Sequence, residues 1–344
     1  MNGQFTEDYI SSGLKELVGY YSNRLSYEEV SLLLGRLSGQ PQLSDQKAEQ
    51  LVLEKGEAIS EQIREELAQF EREAVPMPPI QAVVDVYDRQ SEEVLLLADG
   101  IQVKEQAAKR QKRSERRAEE KHSRSFAPTH LVMLAKATGG YEYISELLPG
   151  ESQSDGFLAQ QVRRQIISQY GQRETPLNLV AITDGATTLR LLLQAIFGLT
   201  VTIILDWYHL EKKVNELMSM IAHNKEEKEK HLQTLLALLW RGLTNQALAY
   251  LQTLTPKNAA QLLVLQTYLQ KHQTEIIDYQ RRQQAGKVIG SGRMEKGCDL
   301  VIGHRQKKKG MSWSLMGSRS LALLKVAELN KQWSQLWFSQ PIMP

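Results

Sequence analysis

LNLVAITDGA (177–186), followed by TTLRLLLQAIF (187–197) and VTIILDWYHL (201–210), is the stretch that decides the fold. An apolar run that stops at Asp-Gly reads as a buried strand ending in a turn. TTLRLLLQAIF repeats its apolar residues at helical spacing, and VTIILDWYHL opens on a second buried strand. A strand, a helix and a strand in that order predict a parallel pair joined by a crossover. Upstream, VLLLADG (94–100) is another apolar run with a turn signal at its end, and HLVMLAKA (130–137) and YEYI (141–144) suggest two more strands. VRRQIISQY (162–170) reads as a helix. The fold class is α/β.

Outside this region the patterns are helical. Residues 5–35 and 44–74 read as helices, separated by SGQPQLSD (38–45), where Ser44 or Asp45 is placed to cap the second. The Pro-rich AVPMPPIQ (74–81) cannot extend a helix and marks a domain boundary. From 211 to 285 the strand signals stop, and EKKVNELMSMIA, HLQTLLALLWRGL, NQALAYLQTL, AQLLVLQTYLQKH and TEIIDYQRRQQ form an all-α block. GKVIGSGRMEKG (286–297) then breaks the regularity with four glycines before a closing helix, SLALLKVAELNKQWSQLW. The expected division is 1–75, 76–210, 211–285 and 286–344.

The bulk properties bound the function. With 344 residues, 42% hydrophobic and 24% charged, the chain has the balance of a globular protein. Its apolar runs are too short to span a bilayer. MNGQFTEDYI carries neither the basic start nor the apolar stretch of a signal peptide. Cys298, the single cysteine, excludes an internal disulfide and a Cys-rich zinc site, so a cytoplasmic protein is expected. The net charge of +2 is uneven. Residues 1–75 carry 14 Asp/Glu and 7 Lys/Arg, net −7, which leaves 26 acidic and 35 basic residues, net +9, for 76–344. The second part is the one suited to a polyanion.

Several residues stand where chemistry is carried in α/β folds, at strand ends. Asp99 and Asp184 each end an apolar run and precede Gly, although Asp-Gly is also a common turn. Asp206 and His209 lie three apart at a strand-to-helix transition, spaced to share a metal or to bond one another, or simply to cap the helix. Glu295 follows Ser291 as in a capped helix start. In HRQKKKGMSW (304–313), Arg305, Lys307, Lys308 and Lys309 with His304 and Trp313 suit phosphate and sugar contact. KEQAAKRQKRSERRAEEKHSRS (104–125) reads as a solvated loop or a further phosphate contact. Converging carboxylates are what phosphoryl transfer with two divalent ions needs, and oxygen ligands suit Mg²⁺ or Mn²⁺.

ITDGA, LDWYH and IGSGRMEKGCDLVIGHRQKKKGMSW resemble bacterial insertion-sequence transposases of the IS-Kra type, with a DDE ribonuclease H-like core, from about residue 80 to 338. DWYH resembles the Asp-x-x-His signature of Mutator-like relatives, and LSYEEVSLLLGRLSGQPQLSD (25–45) resembles their N-terminal helix-turn-helix region. The resemblance implies a ribonuclease H-like core interrupted by the all-α insertion and preceded by a helical DNA-binding region. It implies two Mg²⁺ (or Mn²⁺) ions on Asp99, Asp184 and Glu295, with Asp85 or Asp88 in VVDVYD as substitutes for the first Asp. Asp206 and His209 support the site, and Arg293, Arg305, Lys307, Lys308, Lys309 and Trp313 contact DNA. The implied activity is cleavage at the element's ends and transfer of 3′-hydroxyls into target DNA. Its partners are terminal inverted repeats, target DNA and further copies of the chain on DNA. A nuclease or resolvase without strand transfer, or an inactive DNA-binding remnant, are the alternatives.

Overall fold

The computed structural model describes residues 10–106, 125–150, 156–198 and 201–338. Among them, β1 (Glu93–Lys104), β2 (Phe126–Ala135) and β3 (Tyr141–Ser145) form an antiparallel meander. Two more strands, β4 (Asn178–Thr183) and β5 (Thr202–Leu205), run parallel to β1. The sheet is mixed and five-stranded, in the order β3-β2-β1-β4-β5.

Alternation sorts the strand residues onto two faces. Val94, Leu96, Ala98, Leu179 and Ala181 point to one face, with Val132 and Leu134 of β2. There they meet α4 (Phe157–Tyr170) and α5 (Thr187–Phe197) through Leu158, Val162, Ile166, Leu189 and Leu193. Leu95, Leu97, Ile101, Val180, Ile182 and Ile204 point to the other face, into a larger core. Two covered faces explain why β1 is buried without interruption from Val94 to Ala98. Beyond Asp99 the burial alternates, because one face alone stays covered. The strand therefore does not stop at Asp99-Gly100, as the turn signal suggested, but runs on to Lys104.

The N-terminal helices contribute to that larger core. The first helical stretch is two helices, α1 (Ser12–Ser22) and α2 (Tyr27–Ser38), because Ser26 and Glu29 form a reciprocal capping box that starts a new helix. The long α3 (Asp45–Glu73) is capped by the Ser44 side chain. Val18, Val30, Leu51, Val52 and Ile59 pack with Leu321, Leu323 and Leu324 of α12 (Leu315–Leu329) in the core that also takes the sheet face.

After β5 the chain is helical: α6 (Trp207–Ile221), α7 (Lys225–Trp240), α8 (Thr244–Gln252), α9 (Ala259–Lys271) and α10 (Tyr279–Gln284). α11 (Gly292–Cys298) continues through a π turn, Asp299–Gly303, into a last α turn, and α13 (Trp333–Phe338) closes the described chain. Among the described residues no helix is long and apolar enough to cross a membrane.

The helical block is fastened back to β1 by a buried ion pair. Arg282 is fully buried and donates from both Nη atoms to the Glu93 carboxylate, at 2.9 and 2.8 Å. It also donates to the Val288 and Val86 carbonyls, and Lys287 lies 3.1 Å from Glu93. Removing one member of such a pair strands the other without water. Arg282→Ala is therefore expected to lower stability by about 3 kcal/mol, read as a fall in the urea midpoint with an unchanged slope.

Candidate functional site

Register and parity together gather the acidic residues. Ala98 pairs with Thr183, and Thr183 with Leu205, so Asp99, Asp184 and Asp206 each stand one residue beyond a single row crossing β1, β4 and β5. Asp99 shares the face of Leu97, Asp184 that of Ile182, and Asp206 that of Ile204. α11 covers this same face through Met294 and Cys298, and it carries Glu295. Asp85 and Asp88 sit before β1, each accepting from a backbone N–H two residues on. The six steps from Glu93 to Asp99 put them roughly 20 Å from the row, so Asp99 is the candidate first Asp that shares it.

The row is electrically strained. Burial pushes the Asp99 carboxyl above its ordinary range, and the nearby charges of Asp184 and Glu295 push it the same way. The Gly100 N–H, 2.7 Å from Asp99 Oδ1, and His209 act against them. Burial pushes the Cys298 thiol up to about 12, with Asp99 adding to the effect, so Cys298 stays a neutral donor 3.9 Å from Asp99 Oδ2. Asp184 Oδ1 accepts from Ala186 N at 2.8 Å. Among the described residues nothing bonds Asp184 Oδ2, and the exposed Glu295 carboxylate makes no hydrogen bond or ion pair. Among the described residues no three His, Cys, Asp or Glu side chains are drawn together as a ready-made cation site.

Asp206 has a different role from its neighbours in the row. It is 1% exposed, and both its oxygens are engaged. Oδ1 accepts from the Tyr208 and His209 N–H groups, at 2.6 and 3.2 Å, so Asp206 caps α6. Oδ2 accepts from Ser291 N at 2.5 Å and from the Ser291 hydroxyl, and His209 Nδ1 lies 3.4 Å away. Ser291 thus spends its hydroxyl on Asp206 instead of capping α11. Burial alone raises the Asp206 carboxyl, but the hydrogen bonds from His209 and Ser291 outweigh it and hold the group below the ordinary range. His209 is raised in turn, chiefly by its bond to Asp206 and then by Asp184 and Asp99. It leans toward its charged form, as a counter-charge facing the two acids.

The all-α block supplies the wall beside Asp184. Gly185 has φ +85°, and a Cβ there would stand 2.8 Å from His272 Cε1, so only glycine fits the turn. His272 is buried, with Nδ1 2.6 Å from Glu275, and Arg190 lies 2.5 Å from the same carboxylate. Burial raises the Tyr268 hydroxyl, and the charges of Asp184, Glu275 and Asp206 raise it further. Tyr268 and His272 lacked a signal in the sequence, because nothing local links α9 to a loop some 80 residues earlier.

Two of the expected nucleic-acid contacts are interior residues. Arg305 is 3% exposed and donates to the Ser22 carbonyl at 2.7 Å, with its guanidinium over the rings of Trp313 and Tyr27. Trp313 is 8% exposed and donates its indole N–H to the Gln306 carbonyl. Both tie the N-terminal helices to the core, which corrects their assignment to DNA. Lys307, Lys308, Lys309 and Arg293 are exposed. Backbone bonds from Gln106 N to Trp313 O and from Glu105 N to Ser125 O bring both ends of the basic loop beside these lysines. Residues 107–124 of that loop lie outside the described residues.

No family model, no curated protein and no solved structure matches the chain.

Two stability effects follow. Asp206 has a depressed folded value, so its contribution is full above the unfolded value of about 3.9 and is lost as pH falls through the folded one. Asp206→Asn is expected to cost about 2–3 kcal/mol at pH 7 and to flatten the acid limb of a urea-midpoint profile between pH 7 and pH 2. Asp99 has the opposite sign, since its ionisation works against folding. Asp99→Asn is expected to raise the metal-free Tm by about 1–3 °C, measured by calorimetry at pH 7.

Proposed function

We propose that this chain is a DNA transposase of the DDE type, cutting phosphodiester bonds at the ends of a mobile element and joining the resulting 3′-hydroxyls to target DNA. The observation that carries the reading is the row itself. Asp99 and Asp184 stand on one face, at one level of adjacent parallel strands, and the helix that covers that face brings Glu295 within electrostatic reach of Asp99.

The strand order, with three meandering strands first and two parallel strands after, supports a ribonuclease H-like core. The helical residues between β5 and α11 support an all-α insertion before the Glu-bearing helix. The reading assigns two Mg²⁺ or Mn²⁺ ions to Asp99, Asp184 and Glu295, side chains that would have to draw closer around them. Asp184 Oδ2 and the whole Glu295 carboxylate are unspent among the described residues, and mutual repulsion of the kind a dication relieves is written into Asp99. Such ions, when bound, activate the attacking oxygen and stabilise the leaving one. Asp206 holds α6 and the loop before α11 in register, and His209 offers positive charge at the edge of the row. Lys307, Lys308 and Lys309 provide exposed cations for the DNA backbone near the ends of the basic loop, and Arg293, beside Tyr141 of β3, provides another elsewhere on the surface. The interior roles of Arg305 and Trp313 leave this phosphate-binding surface smaller than the sequence motif implies. Assembly on DNA as a homo-oligomer belongs to the same reading, since two ends must be joined.

Supercoiled plasmid carrying the element's ends is the direct assay. Mg²⁺-dependent nicking and joined products are expected from the native chain. Glu295→Gln is expected to lower both by at least 10²-fold while DNA affinity in a gel-shift assay stays the same. Cleavage without joined products would favour a nuclease. Unchanged cleavage by the variant would remove Glu295 from the site.

A further inference from the structure

Asp184 stands on a short connection with few bonds of its own. β4 ends at Thr183 and α5 starts at Thr187, and among the described residues no side chain caps that helix. The Gly185 N–H donates to the Thr183 hydroxyl at 3.3 Å, and the Ala186 N–H donates to Asp184 Oδ1 at 2.8 Å. The second bond spans Gly185. The backbone angles at Gly185 therefore decide where the Asp184 carboxylate is aimed.

The end of α9 closes on this connection from outside. Lys271, the last residue of that helix, donates from Nζ to the Thr187 hydroxyl at 3.0 Å. The His272 ring comes so close to Gly185 that a Cβ there would stand 2.8 Å from Cε1 and 3.2 Å from Nε2. The Tyr268 ring packs against the imidazole, with centroids 4.7 Å apart. His272 Nδ1 lies 2.6 Å from Glu275 Oε2 and 3.1 Å from Arg190 Nη2. The same Arg190 nitrogen lies 2.5 Å from Glu275 Oε1. Arg190 belongs to the first turn of α5, so the contact returns to the helix that Asp184 precedes. The Glu275 carbonyl accepts from the Leu205 N–H at 3.0 Å. Glu275 thus ties α9, α5 and the end of β5 together around Gly185.

Packing alone does not call for such a cluster. His272 and Glu275 are 1% and 6% exposed, and buried ionic groups are often replaced by apolar side chains of equal volume without loss of stability. What charged hydrogen bonds add is direction, since they fix an angle as well as a distance. Here the direction they fix is that of the ring that touches Gly185.

We propose that His272, held by Glu275 and Arg190, is a positioning residue for Asp184: its ring sets the turn at Gly185, and through that turn the aim of the carboxylate. The all-α block then governs the acidic row as well as bordering it. The consequence for cation binding rests on the reading of Asp184 as a ligand of a divalent ion.

The test uses the full chain without DNA and has two readouts. One is affinity for Mn²⁺ alone, measured by electron paramagnetic resonance. The other is metal-free hydrogen exchange of residues 184–187, where the Ala186 amide reports its bond to Asp184. His272→Ala and Glu275→Gln are each expected to weaken Mn²⁺ binding about tenfold and to speed exchange in this segment. Glu275→Gln keeps the side-chain volume and decides the matter if His272→Ala does not fold. Leu239→Ala, at a buried position elsewhere in the all-α block, is the control. It is expected to lower the Tm while leaving Mn²⁺ affinity as in the native chain. Native Mn²⁺ affinity in the His272 and Glu275 variants, with or without faster exchange, overturns the positioning role and leaves the transposase reading intact. Equal weakening in Leu239→Ala overturns it too, because the effect is then one of stability. If the native chain binds no Mn²⁺, or Asp184→Asn binds it equally well, Asp184 is not a ligand and both readings fall together.

Discussion

Asp206 carries no free oxygen, and the geometry around the candidate centre depends on that. Its carboxylate sits at the end of β5, caps α6 with one oxygen and grips Ser291 with the other. Three separate parts of the chain therefore meet at one buried charge: the last strand, the first helix of the all-α block, and the loop from which α11 starts. A buried carboxylate is tolerable when the protein supplies donors to both its oxygens, and here the donors are backbone amides and a hydroxyl, with the His209 imidazole 3.4 Å away. The consequence reaches Glu295. α11 begins immediately after Ser291, so the grip on Ser291 sets where that helix starts and which residues overhang Asp99. Asp206 resembles its neighbours in the row by position, yet its chemistry is that of a clamp.

The clamp holds together groups that repel. Asp184 and Glu295 are acids within electrostatic reach of Asp99, and burial makes the repulsion costly. A core that only maximised stability would place an amide or an apolar residue at Asp99. The structure instead answers with a partial counter-charge, His209, which is itself anchored by Asp206. Stability given up at one place and held by packing around it is the physical pattern that makes perturbed acids candidates for a site. The neutral Cys298 thiol against Asp99 fits this pattern, since a second anion there would add to the same repulsion.

The strands and their order were legible because each apolar run is continuous where both faces are covered, and Asp184 could be placed from its own flanks. Asp99 was legible as an acid at the right level but not as a residue inside a strand. Asp-Gly has the same look whether the glycine turns the chain or makes room for a ring from the next strand, and His130 lies 30 residues away. The basic motif misled for a related reason. Arg305 and Trp313 stand among lysines in the sequence, but the direction in which each side chain points is set by Ser22 and Tyr27, nearly 300 residues earlier. A cation's destination depends on whether a carbonyl and two rings await it inside, which local composition does not record. Tyr268 and His272 were invisible for the same cause, being brought to Gly185 by the return path of the all-α block.

That return path also explains why a long helical segment can sit between β5 and α11 without loosening either. β5 is a short edge strand, and an open edge invites foreign pairing. Here Leu205 donates its N–H to the Glu275 carbonyl and accepts at its own carbonyl from the Tyr279 hydroxyl. Tyr279 in turn stacks on Trp240 and tilts against Trp207, so the end of the block and its beginning share one aromatic cluster. A few residues further on, Arg282 reaches Glu93 at the start of β1, six residues before Asp99. The block is thereby fixed at both ends of the sheet: at the row, where it walls Asp184, and at the far end, where it is paired in a buried site. Were it tethered at one end alone, motion of α9 would carry His272 away from Gly185 and open the wall. With both ends held, the all-α block is part of the rim that shapes the centre, and the sequence separation between Asp206 and Glu295 is closed by the fold itself.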